Sequence, residues 1–136
     1  MGLLSSFFKT SKPEAIGISG KLLSFLTEVD TLYMEAYALK SIRRIGNSLS
    51  RDCALRLQSS VLSTHTRYFG DDKYRHTKWT KESETSNTVC VRKEVKFDNI
   101  KIAGRLSIAV ATDYVERWHI SLNGNTFVVT AIETVR

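Results

Sequence analysis

The stretch RWHISLNGNTFVVTAIE, Arg117–Glu133, decides the fold. Asn123-Gly124-Asn125 stands between two alternating runs, which is the composition of a tight hairpin turn. Back from the turn, Leu106, Ile108, Val110, Thr112, Tyr114, Glu116, Trp118, Ile120 and Leu122 fall two residues apart. Forward of it, Thr126–Val135 brings Phe127, Val129 and Ala131 to one face and Val128 and Ile132 to the other. A period of two is the strand period. A strand as long as 106–122 has to bend, because strands twist.

Working upstream, the same period persists to about residue 73. Val89, Val91, Val95 and Phe97 share a face, with Arg92, Glu94, Lys96 and Asp98 opposite. At Asp98-Asn99 the phase slips so that Ile100 and Ile102 continue it, the mark of a β-bulge. Ala103-Gly104 and Ser86-Asn87 read as turns. Lys73–Glu84 reads as a strand, with Trp79 its one large apolar anchor, which suits a sheet edge.

Before residue 70 the period is helical. From about Pro13 to Lys40, Leu22, Phe25, Leu26, Val29, Leu32, Tyr33 and Ala36 recur at helical spacing. Gly17 and Gly20 weaken the first turns and place a break near Gly20. Gly46-Asn47-Ser48 signals a turn. A second helix is expected over Leu49–Ser63, with Leu49, Cys53, Leu57 and Val61 stacked four apart. Ser48 or Ser50 can cap it, and Asp52 in its first turn suits the helix dipole.

These elements predict an α+β fold, with N-terminal helices packed on a curved antiparallel sheet of about four strands, shaped like a cone. Residues 13–136 form one domain in this reading. Residues 1–12 form a flexible or amphipathic N-terminal segment. There Leu3, Leu4, Phe7 and Phe8 lie at helical spacing ahead of Lys9 and Lys12, which allows peripheral membrane contact. Gly2 with Ser6 fits a loose myristoylation pattern.

The hairpin resembles the closing hairpin of the nuclear-transport-factor-two-like superfamily. Trp118, Ile120, Leu122, Gly124, Phe127 and Ile132 sit where that pattern has its Trp, apolar, turn and aromatic positions. Tyr33–Val61 resembles the superfamily's helical part. The resemblance covers about residues 20–135 and implies a cone with a pocket at its open end. It does not choose a branch, since members include isomerases, dehydratases, import and secretion components and dimerising adaptors. The enzyme branches carry convergent Asp, His or Tyr side chains, and no matched set is found here.

Composition narrows function further. The 136 residues are 42% hydrophobic and 25% charged, which is ordinary for a globular chain. No apolar run approaches the roughly 20 residues that span a bilayer. Cys53 and Cys90 lie far apart with no Cys/His spacing for zinc, so no metal or cofactor is expected and the cytoplasm is the default compartment. The net charge of +6 is uneven: residues 64–105 hold ten Lys/Arg against six acids. Lys73, Arg75, Lys78, Arg92, Lys96 and Lys101 would form a basic surface there, able to attract nucleic acid or an anionic membrane, although a solvated sheet face is the plainer reading.

The candidate pocket residues are Asp30, Tyr33 and Tyr37 on the first helix, with Tyr114 and Trp118 on the long strand. A Tyr/Asp pair beside an aromatic wall could transfer a proton next to a carbonyl. The plainer reading makes Tyr33 and Trp118 core and Asp30 solvated. His119 alternates to the face opposite Trp118. No G-x-S-x-G and no phosphate-binding glycine loop occurs. The expectation is therefore a non-catalytic protein-interaction or assembly module, acting as a homodimer or with a protein partner. The first alternative is a small-molecule binder or proton-transfer enzyme using the cone. The second is anionic-surface binding through the basic strands.

Overall fold

The computed structural model describes residues 13–64, 69, 75–97 and 112–136. Among the described residues, two α-helices pack on a curved, mostly antiparallel five-stranded sheet that does not close into a barrel. The elements are β1 (Glu14–Ile16), α1 (Gly20–Leu39), α2 (Arg51–Ser63), β2 (Arg75–Glu84), β3 (Thr88–Phe97), β4 (Tyr114–Asn123) and β5 (Thr126–Thr134), with a short 3-10 turn at Gly46–Ser48. The strands lie side by side in chain order. The fold class expected from the sequence is thus the one observed, with one strand more.

That extra strand corrects the expectation of helix from Pro13 onward. Glu14–Ile16 pairs parallel with β2, placing Ala15 opposite Trp79. Gly17 then turns the chain at a φ of 74°, and Ser19 starts α1 by accepting a hydrogen bond from the Leu22 amide at 3.3 Å. α1 buries Leu22, Leu26, Val29, Asp30, Tyr33, Ala36 and Tyr37. It ends at Lys40, in the left-handed region, whose amide bonds back to the Ala36 carbonyl. The Lys40 ammonium reaches across to the Val61 and Thr64 carbonyls at the end of α2, a cation placed where a helix C-terminus favours one.

Ser50, not Ser48, caps α2, accepting from the Cys53 amide at 3.2 Å. Leu49 lies outside the helix because it bridges Val129, and the Ser50 amide donates to the Val129 carbonyl at 2.9 Å. The start of α2 is therefore tied to the β5 edge. Cys53, Leu57 and Val61 face inward from it.

The sheet bends at two register shifts, between Lys81 and Ser83 and between His119 and Ile120. The second falls opposite Thr130 and reverses the phase of β5. Ile132 pairs with Trp118 and packs on the core with Phe127, while Ala131 pairs with His119. This corrects the expected grouping of Ala131 with Phe127 and Val129. The strand expected to run unbroken to Leu122 begins at Tyr114: Thr112 and Asp113 are outside it, and the Asp113 carboxylate instead accepts from the Phe97 amide at 2.9 Å. The expected bulge at Asp98-Asn99 and the turn at Ala103-Gly104 lie outside the described residues, as do residues 1–12. Gly124 takes a φ of 65° in the β4–β5 turn, as that hairpin requires.

The inner sheet face carries Trp79, Val89, Val91, Trp118, Ile120 and Val129, all buried against α1 and α2. Each such side chain contributes on the order of 1.5–3 kcal/mol by leaving water. Two buried charged residues, Lys93 and Glu116, share that face, and they define the site.

Candidate functional site

Lys93 lies in phase with Val91 and Val95 on β3, and Glu116 lies between Tyr114 and Trp118 on β4. Lys93 is 0% exposed, Glu116 1% and Asp30, arriving from α1, 7%. A buried charge is costly unless paired and hydrogen-bonded. Here the pairing is extensive. The Lys93 ammonium donates to Asp30 Oδ1, to the Tyr114 hydroxyl at 3.0 Å and to Glu116 Oε1 at 3.4 Å. Glu116 also accepts from the Tyr33 hydroxyl at 2.6 Å and from the Trp118 indole N–H at 3.2 Å.

Aromatic rings close the box. Lys93 Nζ stands 5.2 Å from the centroid of Tyr33, 5.9 Å from Trp79, 4.9 Å from Tyr114 and 5.4 Å from Trp118. All four distances are within cation–π range. The rings also brace one another edge-on, Trp79 against Trp118 at 5.1 Å and Tyr33 against Trp118 at 5.6 Å.

Burial pushes the Lys93 ammonium toward its neutral form, but Asp30 and Glu116 outweigh burial and hold it above the usual lysine range. Burial raises the Asp30 carboxyl despite the opposing pull of Lys93. Burial likewise raises the Tyr114 hydroxyl, again against the pull of Lys93. A lysine that attacks carbonyls needs a lowered pKa and an approach path. Lys93 has the reverse on both counts. The arrangement fixes a charge; it does not expose a nucleophile.

Beside this box lies a cavity of about 230 Å³ between α1, α2 and β5. Tyr33 belongs to both, lining the cavity and holding Glu116 with its hydroxyl. The other walls include Tyr37, Leu57, Ser60 and Ile132, with Arg56 and Glu133 among the lining residues. The Tyr37 and Ser60 hydroxyls stand 2.7 Å apart. Cys53 also lines the cavity, and burial, reinforced by nearby Asp52, pushes its thiol up to about 11. It is therefore a neutral, unreactive wall group at neutral pH.

Of the residues singled out in the sequence, Asp30, Tyr33, Tyr114 and Trp118 converge on the box, and Tyr37 lines the cavity. Asp30 is buried, which corrects its reading as solvated; the partner that keeps it inside is Lys93. Of the basic residues, Lys73 and Lys101 lie outside the described residues. Arg75 and Lys78 are half-buried, the Arg75 guanidinium donating to the Phe69 carbonyl at 3.3 Å. Lys96 is exposed, and Arg92 lies 3.9 Å from Glu94. The outer face interleaves signs: Arg117 pairs with Glu82 at 2.6 Å, and His119 Nε2 lies 3.2 Å from Glu133. Arg117 holds the Glu82 carboxyl below its ordinary value.

Sequence reasoning missed Lys93, Glu116 and Trp79 as site residues. The signal was present: Val89-Val91-Lys93-Val95-Phe97 and Tyr114-Glu116-Trp118 each carry one charge in an apolar phase. Two opposite charges in apolar phases of neighbouring strands are expected to meet, and Lys93 does stand opposite Glu116 in register.

Among the described residues, no group of His, Cys, Asp and Glu is placed to hold a metal ion, and no helix is long and apolar enough to cross a membrane. Compared with family models, with curated proteins and with solved structures, the chain matches none.

Proposed function

We propose that the protein is a small-molecule-binding module whose ligand occupies the cavity between α1, α2 and β5. One observation carries this reading. The cavity is about 230 Å³ and sets hydroxyls from Tyr37 and Ser60 among the apolar groups of Leu57 and Ile132. A concave wall that mixes apolar and polar groups can hold a small ligand carrying both. The volume lies below that of drug-sized pockets, so the ligand is a compact molecule with an apolar body and a hydrogen-bonding head. The order of helices before a curved sheet, with a cavity between them, also supports membership of the nuclear-transport-factor-two-like superfamily. The two free thiols support a reducing, cytoplasmic setting.

The test is a fragment titration followed by amide chemical shifts, using small phenols and aromatic carboxylic acids. At least one class should shift Tyr37, Leu57, Ser60 and Ile132 together. Ser60→Phe, which grows a ring into the cavity, should abolish those shifts. Hits that persist in that variant, or shifts scattered over the surface, would refute the reading.

The assembly reading keeps one observation of its own. Leu55 and Leu62 lie seven residues apart on one stripe of α2, and each is 62% exposed. The proposed occupant of that stripe is the same stripe of a second copy. Sedimentation should then show a dimer that Leu55→Glu with Leu62→Glu converts to monomer. A wild-type monomer at high protein concentration would remove this second reading.

A further inference from the structure

We propose that Tyr33, Trp79, Tyr114 and Trp118, with Asp30 and Glu116, form an ammonium-binding site that the chain fills with its own Lys93. Once that side chain is removed, the site takes a primary alkylammonium ion.

The receptor and its occupant come from different parts of the chain. Asp30 and Tyr33 stand on α1, Trp79 on β2, and Tyr114, Glu116 and Trp118 on β4, whereas the lysine alone comes from β3. Truncating Lys93 therefore removes none of the recognition groups. Several contacts that hold the walls also do not pass through the lysine. Tyr33 and Trp118 both donate to Glu116, and Trp118 packs edge-on against both Trp79 and Tyr33.

Two kinds of recognition converge on Nζ. The three N–H directions of an ammonium meet three acceptors, on Asp30, Tyr114 and Glu116. Four ring centroids lie between 4.9 and 5.9 Å away. Rings alone would suit a quaternary ammonium. Three directed acceptors specify a primary one, because a quaternary nitrogen has no N–H and would leave buried acceptors unpaired. A neutral alcohol of the same size supplies one donor and no charge. The site thus discriminates by charge and by donor number.

The experiment uses Lys93→Ala, which vacates the volume of a propylammonium ion. Adding n-propylammonium at about ten times its dissociation constant should raise the melting temperature of this variant by roughly 5 °C. Equal concentrations of 1-propanol or tetramethylammonium should leave it unchanged. Wild type, whose box is full, and Lys93→Met, whose box holds a neutral chain, should not respond. If Lys93→Ala is unfolded on its own, the same additions are read as refolding by circular dichroism, with the same ranking expected. Absence of any propylammonium effect, or an equal effect from propanol or tetramethylammonium, would overturn the proposal.

Discussion

Lys93→Met is expected to lower folding stability by about 3–5 kcal/mol. Methionine matches the lysine stem in length and bulk, so little packing is lost. What is lost is the cation between Asp30 and Glu116, both buried. Removing one partner of a buried ion pair leaves the other charge without compensation, and that stranded charge is the main cost. The companion variant tests this cause directly. Replacing Asp30 by Leu and Glu116 by Gln as well removes the stranded charges while keeping an acceptor for the Tyr33 hydroxyl and the Trp118 N–H, and should recover much of the loss. Urea denaturation with an unchanged slope would check both.

The same substitution should change the pH dependence. Lys93 is held above its ordinary value of 10.5. Its contribution is therefore full below that value and drains as pH rises through the higher folded one. Lys93→Met should flatten this alkaline limb. Asp30 behaves oppositely to a surface carboxylate, because its folded value is raised. Its proton stabilises the fold at acid pH, and that stabilisation is lost as pH climbs from its ordinary value of 3.8 through the raised one. Without Lys93 the carboxyl loses the largest pull that opposes burial, leaving the weaker one of Arg75, so it rises further. The variant should then gain stability relative to wild type as pH falls from neutral toward the raised Asp30 value. A constant difference across that range would contradict this account.

Trp118→Ala is the second large effect, expected at about 3–5 kcal/mol. Trp118 is fully buried, stacks edge-on with Trp79 and Tyr33, and donates to Glu116. Alanine leaves a cavity at the centre of the sheet and removes one donor from a buried carboxylate. Trp118→Phe separates these terms. It keeps most of the ring volume but not the N–H, and should cost about 1–3 kcal/mol. Equal losses in the two variants would mean that the hydrogen bond, not the packing, dominates.

The fold was largely legible because its signals are local. The Asn123-Gly124-Asn125 turn and the flanking period of two specify the last hairpin, and the Cys53-Leu57-Val61 spacing specifies α2. The strand β1 was not legible, since three residues have no period and form a strand only by borrowing the edge of β2. The phase reversal at Thr130 was hidden for the same reason. Val129 is claimed from outside the sheet by Leu49 and Ser50, and nothing in the local pattern of β5 announces that tie. Of the site, the aromatics could be read from helical and strand spacing. The ionic centre could not be placed without knowing that Asp30, on a flank of its helix, faces the strand that carries Lys93.

Lys93 is a sealed, protonated ammonium at the heart of the fold. The most direct measurement follows its 13Cε and 15Nζ resonances through an alkaline titration of the wild-type protein. A slowly exchanging ammonium with cross-peaks to the rings of Tyr33, Tyr114 and Trp118, and no titration at the ordinary lysine value of 10.5, is the expected result. A rapidly exchanging amine that titrates at or below that value would contradict it.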